Sequence, residues 1–543
     1  MTSLISLIHL LIPLRLIRTS LLCSALVPNP KRISTSHRRD HYLNPVSMPF
    51  SSSIKETIIS SSLFLSTNQE TQKIQRQGGV HLNHAGASPS PQRVLDRVYR
   101  HLRLEQDDGG YAAQNAVQNS GELNKVYHDV AKLIHAASAQ TLAENESLTE
   151  TAPEIALVES ATVGWTRAFY TLAQRDEQER KKTYGKNDPS TNTRVILISE
   201  AEYAANVVAA CQWAQDHNDH WMVLGIPSSK SDNGSSTGIV DLKIFDSMLE
   251  GEFSYKDMSG VDVCLDPSSI AMVCITHVPT NSGIVNPVEE IGERISNHNK
   301  RHKQEDSKES YLKSIKYIVD ACQSVGQMDV NVQKIKCDAL VATGRKYLRG
   351  PRGTGFLYIS NSILAQDIMP SHIDHYGCPV SKVPSASYYQ QGTQLQSVIE
   401  FAPRKGAKRF EFWESSISSR LGLGEAVCIA MEEGLTKVSH DIQHLSALLR
   451  SELEKTIPSI HIYHRESTTC GIVTFFCEIV DARTIQTTMW KEGFELSTVP
   501  ATSTPLDSSS TNVPDLVRAS VSYTTTEKDI LNFCKSLASF LQE

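Results

Sequence analysis

Short unbroken apolar runs recur along this 543-residue chain, each followed by a stretch with helical spacing. EIALVES (154–160) leads into a segment carrying Trp165, Phe169 and Leu172 at helical intervals. RVILISE (194–200) leads into AANVVAACQWAQ, and IAMVCITHV (270–278) leads into NPVEEIGERI. IKYIVDA (315–321) and CDALVATG (337–344) are further strands. Strands that are apolar on both faces and alternate with helices predict a parallel sheet covered on both sides. The expected class is α/β, with ligands bound beyond the carboxyl ends of the strands. After about residue 375 the pattern changes. A long helical stretch (420–456) precedes the strand GIVTFFCEIV, a helix over 483–493, the strand RASVSY and a final helix. That predicts a large domain over 79–375 and a smaller α+β domain over 376–543.

Three polar stretches interrupt the first domain: QRDEQERKKTYGKNDPSTNT (174–193), PSSKSDNGSSTG (227–238) and NHNKRHKQEDSKES (297–310). Their composition predicts solvated surface insertions. Residues 49–78 are rich in Ser, Thr and Gln and read as a linker. The first 39 residues contain no acidic residue and carry Arg15, Arg18, Lys31, Arg32, Arg38 and Arg39. Residues 1–48 therefore resemble a mitochondrial or plastid targeting segment, with the cytoplasm as the alternative location. The same arginines break the apolar stretch, so stable membrane insertion is not expected.

Composition narrows the functional classes. The net charge is −7, which does not suit a nucleic-acid binder. The eleven cysteines form no CxxC pair and no zinc spacing, so reduced, mostly buried thiols in an intracellular compartment are expected.

The polar residues at the strand ends carry the chemistry. Ser160, Ala161 and Thr162 follow the first run, and Thr162 is a plausible cap of a helix start that attracts anions. Glu202, Tyr203 and Asn206 follow the second run; Thr276, His277 and Thr280 the third. Asp320 and Gln323 follow the fourth; Thr343, Arg345 and Lys346 the fifth. Each has an ordinary reading alone: a cap, a turn residue, a core histidine. Together they offer an anion site, a cation and an aromatic face. A lysine leaving an apolar strand needs a reason, because burial disfavours its charge. Arg345 beside it favours the neutral amine, which forms Schiff bases. An acid able to pair with a pyridinium nitrogen completes the needs of pyridoxal 5'-phosphate, PLP.

SATVGW, SEAEYAAN, THVPTNSGIVNP, VDACQSVGQMDV and ATGRKYLRGPRGTGFLY, in this order, resemble the motifs of class V aminotransferase-like PLP enzymes of fold type I. That superfamily includes cysteine desulfurases, isopenicillin N epimerase-like proteins and the C–S lyases of ergothioneine synthesis. The resemblance spans about residues 80–530. It implies a mainly parallel seven-stranded sheet between helices, a smaller C-terminal domain and a homodimer with the 353–355 segment near the partner. It implies that Lys346 is the Schiff-base lysine and proton shuttle. Asp320 would pair with the pyridine nitrogen, and Gln323 would bond the ring's 3-oxygen. Ala161, Thr162, Thr343 and Arg345 would hold the phosphate. Tyr203 stands where the family often has a ring-stacking histidine, and Thr280 where desulfurases carry an asparagine. Arg518 would clamp the substrate carboxylate. HLNHAGASPSP (81–91) matches the segment that folds over the site, with His84 or Gly86 near substrate.

Desulfurases of this family carry a sulfur-accepting cysteine on the loop before the substrate arginine. Here that loop, EGFELSTVPATSTPLDSSSTNVPDLV, has none, and no cysteine lies between Cys477 and Cys534. The expectation is β-elimination from a cysteine sulfoxide conjugate such as hercynylcysteine sulfoxide, with Trp413 or Tyr203 stacking on the substrate. Epimerisation and transamination are the alternatives, with desulfuration or a non-catalytic PLP-fold protein behind them.

Overall fold

The computed structural model describes residues 79–542, apart from 140–151, 186–192, 219, 233, 258, 304–310, 367, 383–393, 395–398, 464–469 and 508–513. The targeting and linker stretches expected at 1–48 and 49–78 lie outside the described residues. The first strand, β1 (Val80–His81), is short. Seven further strands build the large sheet: β2 (Ile155–Val158), β3 (Arg194–Ser199), β4 (Trp221–Ile226), β5 (Ile270–Thr276), β6 (Lys316–Asp320), β7 (Ala339–Thr343) and β8 (Gly355–Ile359). Their order is β2-β8-β7-β6-β5-β3-β4. The pairs β3–β4, β3–β5, β5–β6 and β6–β7 are parallel. Only β8 runs against its neighbours, β7 and β2.

Every residue of β2, β3, β5, β6, β7 and β8 is buried, so helices must cover both faces. Two apolar clusters do this, one on each side. One includes Leu157, Leu197, Val273 and Val319; the other includes Ala156, Ile196, Cys274 and Ile318. Adjacent residues of a strand enter opposite clusters, as the period of two demands. The second cluster also takes Trp165, Phe169 and Leu172 from the helix Ala161–Tyr184.

A second sheet is antiparallel and four-stranded. It contains β9 (Ile460–Ile462), β10 (Ile472–Cys477), β12 (Ser497–Val499) and β13 (Leu516–Ser520), in the order β9-β10-β13-β12. The strand before β12, β11 (Phe494–Glu495), pairs instead with β1. Residues 81–91, expected to belong to the large domain, are thus stitched to the second sheet. Leu82 and Ala85 are buried in its core. Ala85 N donates to Ser520 Oγ at 2.9 Å, and Ser520 N to Leu82 O at 2.7 Å.

The boundary expected at 375/376 differs from the packing. Ala407 and Phe410 belong to one large-sheet cluster, and Ile417, Leu421 and Val427 to the other. The change of core comes where the long helical stretch breaks at Gly434, with φ +81°. Val438, Ile442 and Leu449 beyond it pack on the second sheet.

The polar stretches are not simply solvated. The helix Ala161–Tyr184 runs into the first of them, as far as Tyr184. Asp176, Glu177 and Arg180 are buried there because they pair with one another or across the fold. Arg194 holds Asp176 with two parallel bonds, Nε–Oδ1 2.7 Å and Nη2–Oδ2 2.8 Å. Arg180 grips Glu177, which also accepts from Trp221 Nε1 at 2.9 Å. Burial alone would raise the Glu177 carboxyl, but these bonds pull it down to about 2. The second stretch forms an antiparallel hairpin, Ser228–Lys230 with Ser236–Val240. The third begins inside the helix Val288–Lys303, where His298 is buried. No helix among the described residues is long and apolar enough to cross a membrane.

Candidate active site

The carboxyl ends of β3, β5, β6 and β7 emerge on one side of the sheet, because these strands are parallel. A pocket opens there, lined by residues that follow these strands. The turn into the helix Ala161–Tyr184 contributes Ser160, Ala161 and Thr162. Tyr203 comes from beyond β3; Thr276, Val278 and Thr280 come from the end of β5 and beyond. Asp320 ends β6, with Cys322 and Gln323 just beyond it, and Thr343 ends β7, with Arg345 and Lys346 just beyond it. Eleven residues singled out from the sequence therefore share this wall.

The helix start is built as an anion cradle, with one change from expectation. Ser160 is its cap, accepting from Val163 N at 3.2 Å, so Thr162 keeps an exposed side chain at the rim. Gly355 lets β8 lie against this turn; a Cβ there would sit 2.5 Å from Ala342 O and 3.4 Å from Ala161 N. Thr343 Oγ1 donates to Thr354 O at 3.2 Å. Arg345 donates to Gly86 O and so ties the 81–91 segment over the pocket.

Lys346 is half-buried at the pocket wall. Burial lowers its amine below the ordinary range; Cys322 and Asp320 oppose this, while Arg518 and Arg345 add to it. Its flanks are fixed. Tyr347 and Leu348 are buried, and Arg349 takes the left-handed conformation, φ +61°. Arg349 is anchored by Pro89 O at 3.1 Å and Tyr523 Oη at 3.0 Å. Gly326, φ +92°, lies beneath this loop; a Cβ there would be 2.6 Å from Leu348 N and from Tyr347 C. Gly326→Ala should therefore destabilise the protein by more than about 1 kcal/mol and loosen Lys346. A urea midpoint equal to wild type would contradict this locking.

Asp320 is 5% exposed. Its Oδ1 accepts from Cys322 N at 2.9 Å and its Oδ2 from Asn206 Nδ2 at 3.1 Å. Gln323 Nε2 donates to Ala85 O at 3.1 Å, with Thr280 Oγ1 at 3.4 Å, while its Oε1 is buried with no hydrogen-bond partner. Tyr203, 38% exposed, donates its N–H to Thr276 Oγ1 at 3.3 Å.

Two expected residues stand behind the wall rather than in it. Arg518 lies on β13, and burial brings its guanidinium down to about 10. It donates to Thr280 Oγ1 at 2.6 Å, Thr280 O at 3.2 Å and Ser497 Oγ at 3.1 Å. Thr280 thus links Arg518 to the pocket. His84 is buried within the covering segment, its Nδ1 2.9 Å from Ser88 Oγ and its ring 4.6 Å from that of His81. Burial, then His81, keeps it well below its ordinary pKa and neutral. Trp413 does not line this pocket. It sits in a separate groove with Tyr111, Tyr376, Arg404 and Lys408.

Sequence reasoning gave Cys322 no role, although it lines the pocket between two residues it did assign. It also gave no role to Glu202 and Asn206, which stand directly behind Asp320; their only signal was their place at a strand end.

The profile of the aminotransferase class-V family matches residues 251–533, more than half of the chain. The chain belongs to the aminotransferase class-V family. PLP is the cofactor of this class-V protein. The cysteine desulfurase of Wigglesworthia glossinidia brevipalpis is 26% identical over 473 residues, covering 86% of this chain and 94% of its own. That of Yersinia pseudotuberculosis serotype O:1b is 25% identical over 466 residues, covering 85% and 93%. Solved structures share the fold. The apo cysteine desulfurase of Thermococcus onnurineus NA1 aligns with a TM-score of 0.63 at 16% identity, over 86% of this chain and 95% of its own. The cystine C–S lyase C-DES, in complex with its product cysteine persulfide, aligns at 0.61 and 18% identity, over 85% and 98%.

The pocket suits PLP by the chemistry of its donors. A free helix start with Arg345 suits a phosphate. A buried carboxylate suits a pyridinium, an amine with a depressed pKa suits an aldehyde, and the orphaned Gln323 Oε1 marks a polar group left for a ligand.

Proposed function

We propose that this class-V protein cleaves a C–S bond by β-elimination, acting on a cysteine sulfoxide conjugate such as hercynylcysteine sulfoxide. The observation that carries this reading concerns sulfur. The loop before β13 has no cysteine to accept a sulfur atom. The thiol in the pocket wall, Cys322, is fixed beside Asp320, and burial pushes it up to about 12. A protonated, immobile thiol is a poor acceptor and carrier. A leaving group that departs with its own sulfur needs neither.

PLP, when bound, supplies an electron sink for the pair left at the substrate's Cα. In this reading the helix start at Ala161 and Thr162, with Thr343 and Arg345, binds the phosphate. Asp320 holds a proton at the pyridine nitrogen, Gln323 meets the 3-oxygen, and Tyr203 stacks on the ring. Lys346 carries the cofactor and takes the Cα proton. Arg518, steadied by Thr280 and Ser497, binds the substrate carboxylate and orients the Cα–H bond. His84 closes the substrate side. The net reaction consumes one water: the sulfoxide conjugate gives a sulfenic acid, pyruvate and ammonium. No oxidant or reductant is required. A homodimer, with the 353–355 segment near the partner, belongs to the same reading.

The experiment is pyruvate release from an S-substituted cysteine sulfoxide by PLP-loaded protein. Pyruvate with ammonium in equal amounts is the expected outcome. Alanine with enzyme-bound persulfide from cysteine would instead favour desulfuration, the activity named for the curated relatives.

A further inference from the structure

Behind Asp320 lies a second buried carboxyl group. Glu202 is 1% exposed and does not line the pocket. Its Oε2 accepts from Thr276 N at 2.7 Å and Ser199 Oγ at 2.8 Å. Its Oε1 accepts from Asn206 Nδ2 at 2.8 Å and is also bonded to Thr276 Oγ1. The same Asn206 nitrogen donates to Asp320 Oδ2 at 3.1 Å. One amide thus spends its two hydrogens on two carboxylates. That sharing fixes the amide's orientation, because a flip would set its oxygen against both acids.

We propose that Glu202, acting through Asn206, is a positioning residue that sets how firmly Asp320 keeps the pyridine nitrogen of PLP protonated. This rests on the reading that Asp320 meets that nitrogen.

The arrangement has an electrostatic sense. The titratable groups facing Glu202 are Asp320 and Tyr317 on β6 and Cys274 on β5. Burial raises both Tyr317 and Cys274, so neither carries charge at neutral pH. Burial first, and the Asp320 charge after it, push Glu202 up to about 7, against the pull of its hydrogen bonds. Glu202 therefore changes charge near neutrality, one shared amide from Asp320. As pH rises through about 7, a second negative charge appears and makes Asp320 a stronger acceptor of the nitrogen's proton. Loss of the Glu202 proton near neutrality should therefore raise the nitrogen's own pKa, so that it keeps its proton to higher pH than an unassisted pyridine would.

The test loads apoprotein with PLP labelled with ¹⁵N at the pyridine nitrogen. Its chemical shift is followed against pH in wild type, Glu202→Gln and Asn206→Ala. PLP dissociation is measured by equilibrium dialysis alongside. Both variants should move the shift toward the unprotonated value and bind PLP about 10- to 100-fold more weakly, the range for losing a hydrogen bond to a charged group. The inflection near neutrality should vanish in Glu202→Gln. A merely structural Glu202 would lower stability and loading without moving the shift of the loaded fraction, and that result overturns the proposal. If Glu202→Gln does not fold, Asn206→Ser decides by the same shift. Asp320→Ala separates the two readings. An unchanged shift there overturns the placement of Asp320 itself. A changed shift there, with wild-type shifts in the other variants, overturns the relay alone.

Discussion

Lys346→Ala should fold, bind PLP without covalent attachment, and release pyruvate at least ~10³-fold more slowly than wild type. Two losses combine. The amine that holds the cofactor is gone, and so is the base for the Cα proton; a positioned base alone contributes about 10²- to 10⁴-fold. Stability should survive, because the substitution removes a group that burial already penalises. The loop keeps its anchors in Tyr347, Leu348 and Arg349. Mass spectrometry after borohydride treatment would find the cofactor mass on the Lys346 peptide of wild type alone. A variant with wild-type turnover would sink the assignment of Lys346.

The largest stability effect is expected far from the pocket. Arg194→Ala leaves Asp176, 0% exposed, without its guanidinium. It also strips Ser268 O and Leu312 O of donors at 2.9 and 2.7 Å. Removing one partner of a buried pair typically costs about 3–5 kcal/mol, because the other charge is left uncompensated. Urea unfolding should show that loss. Asp176→Ala combined with Arg194→Ala should recover part of it, since no lone charge then remains. Equal midpoints for Arg194→Ala and wild type would show that the pair contributes nothing.

That pair also shows where hydropathy misleads. A reading of 174–193 by polarity assigns it to water, and the helix through Tyr184 contradicts this. Asp176, Glu177 and Arg180 find partners inside the fold, and partners 18 or 44 positions away are invisible to a local pattern. The buried strands were legible because their two faces are both apolar. Two others were not singled out. Trp221–Ile226 follows a polar run and is half-exposed along its middle, as an edge strand can be. Gly355–Ile359 follows Lys346 so closely that it reads as part of the motif, and its antiparallel direction leaves no mark in composition. The pocket was legible for a topological reason. Parallel strands bring their carboxyl ends together, so polar residues after successive strands become neighbours. Arg518 and His84 reach the site by a different route, across the second sheet and the covering segment. Glu202 and Asn206 stood in the same strand-end set, but only the shared amide distances distinguish them from ordinary cap residues.

The seam between β1 and β11 sets an order of events. The link from His81 to Glu495 spans 414 positions, and that from Ala85 to Ser520 spans 435. A ribosome releases the amino-terminal half of each contact long before its mate exists. The large sheet can form while the rest is still being made, but the cover over the pocket lacks its anchors on β11 and β13 until those strands exist. Contacts of such long sequence separation form late and slowly. A newborn chain therefore passes through a stage with an open, uncovered site. Cofactor added at that stage would meet an unobstructed mouth, and a chain cut short before Leu516 would stay in that state.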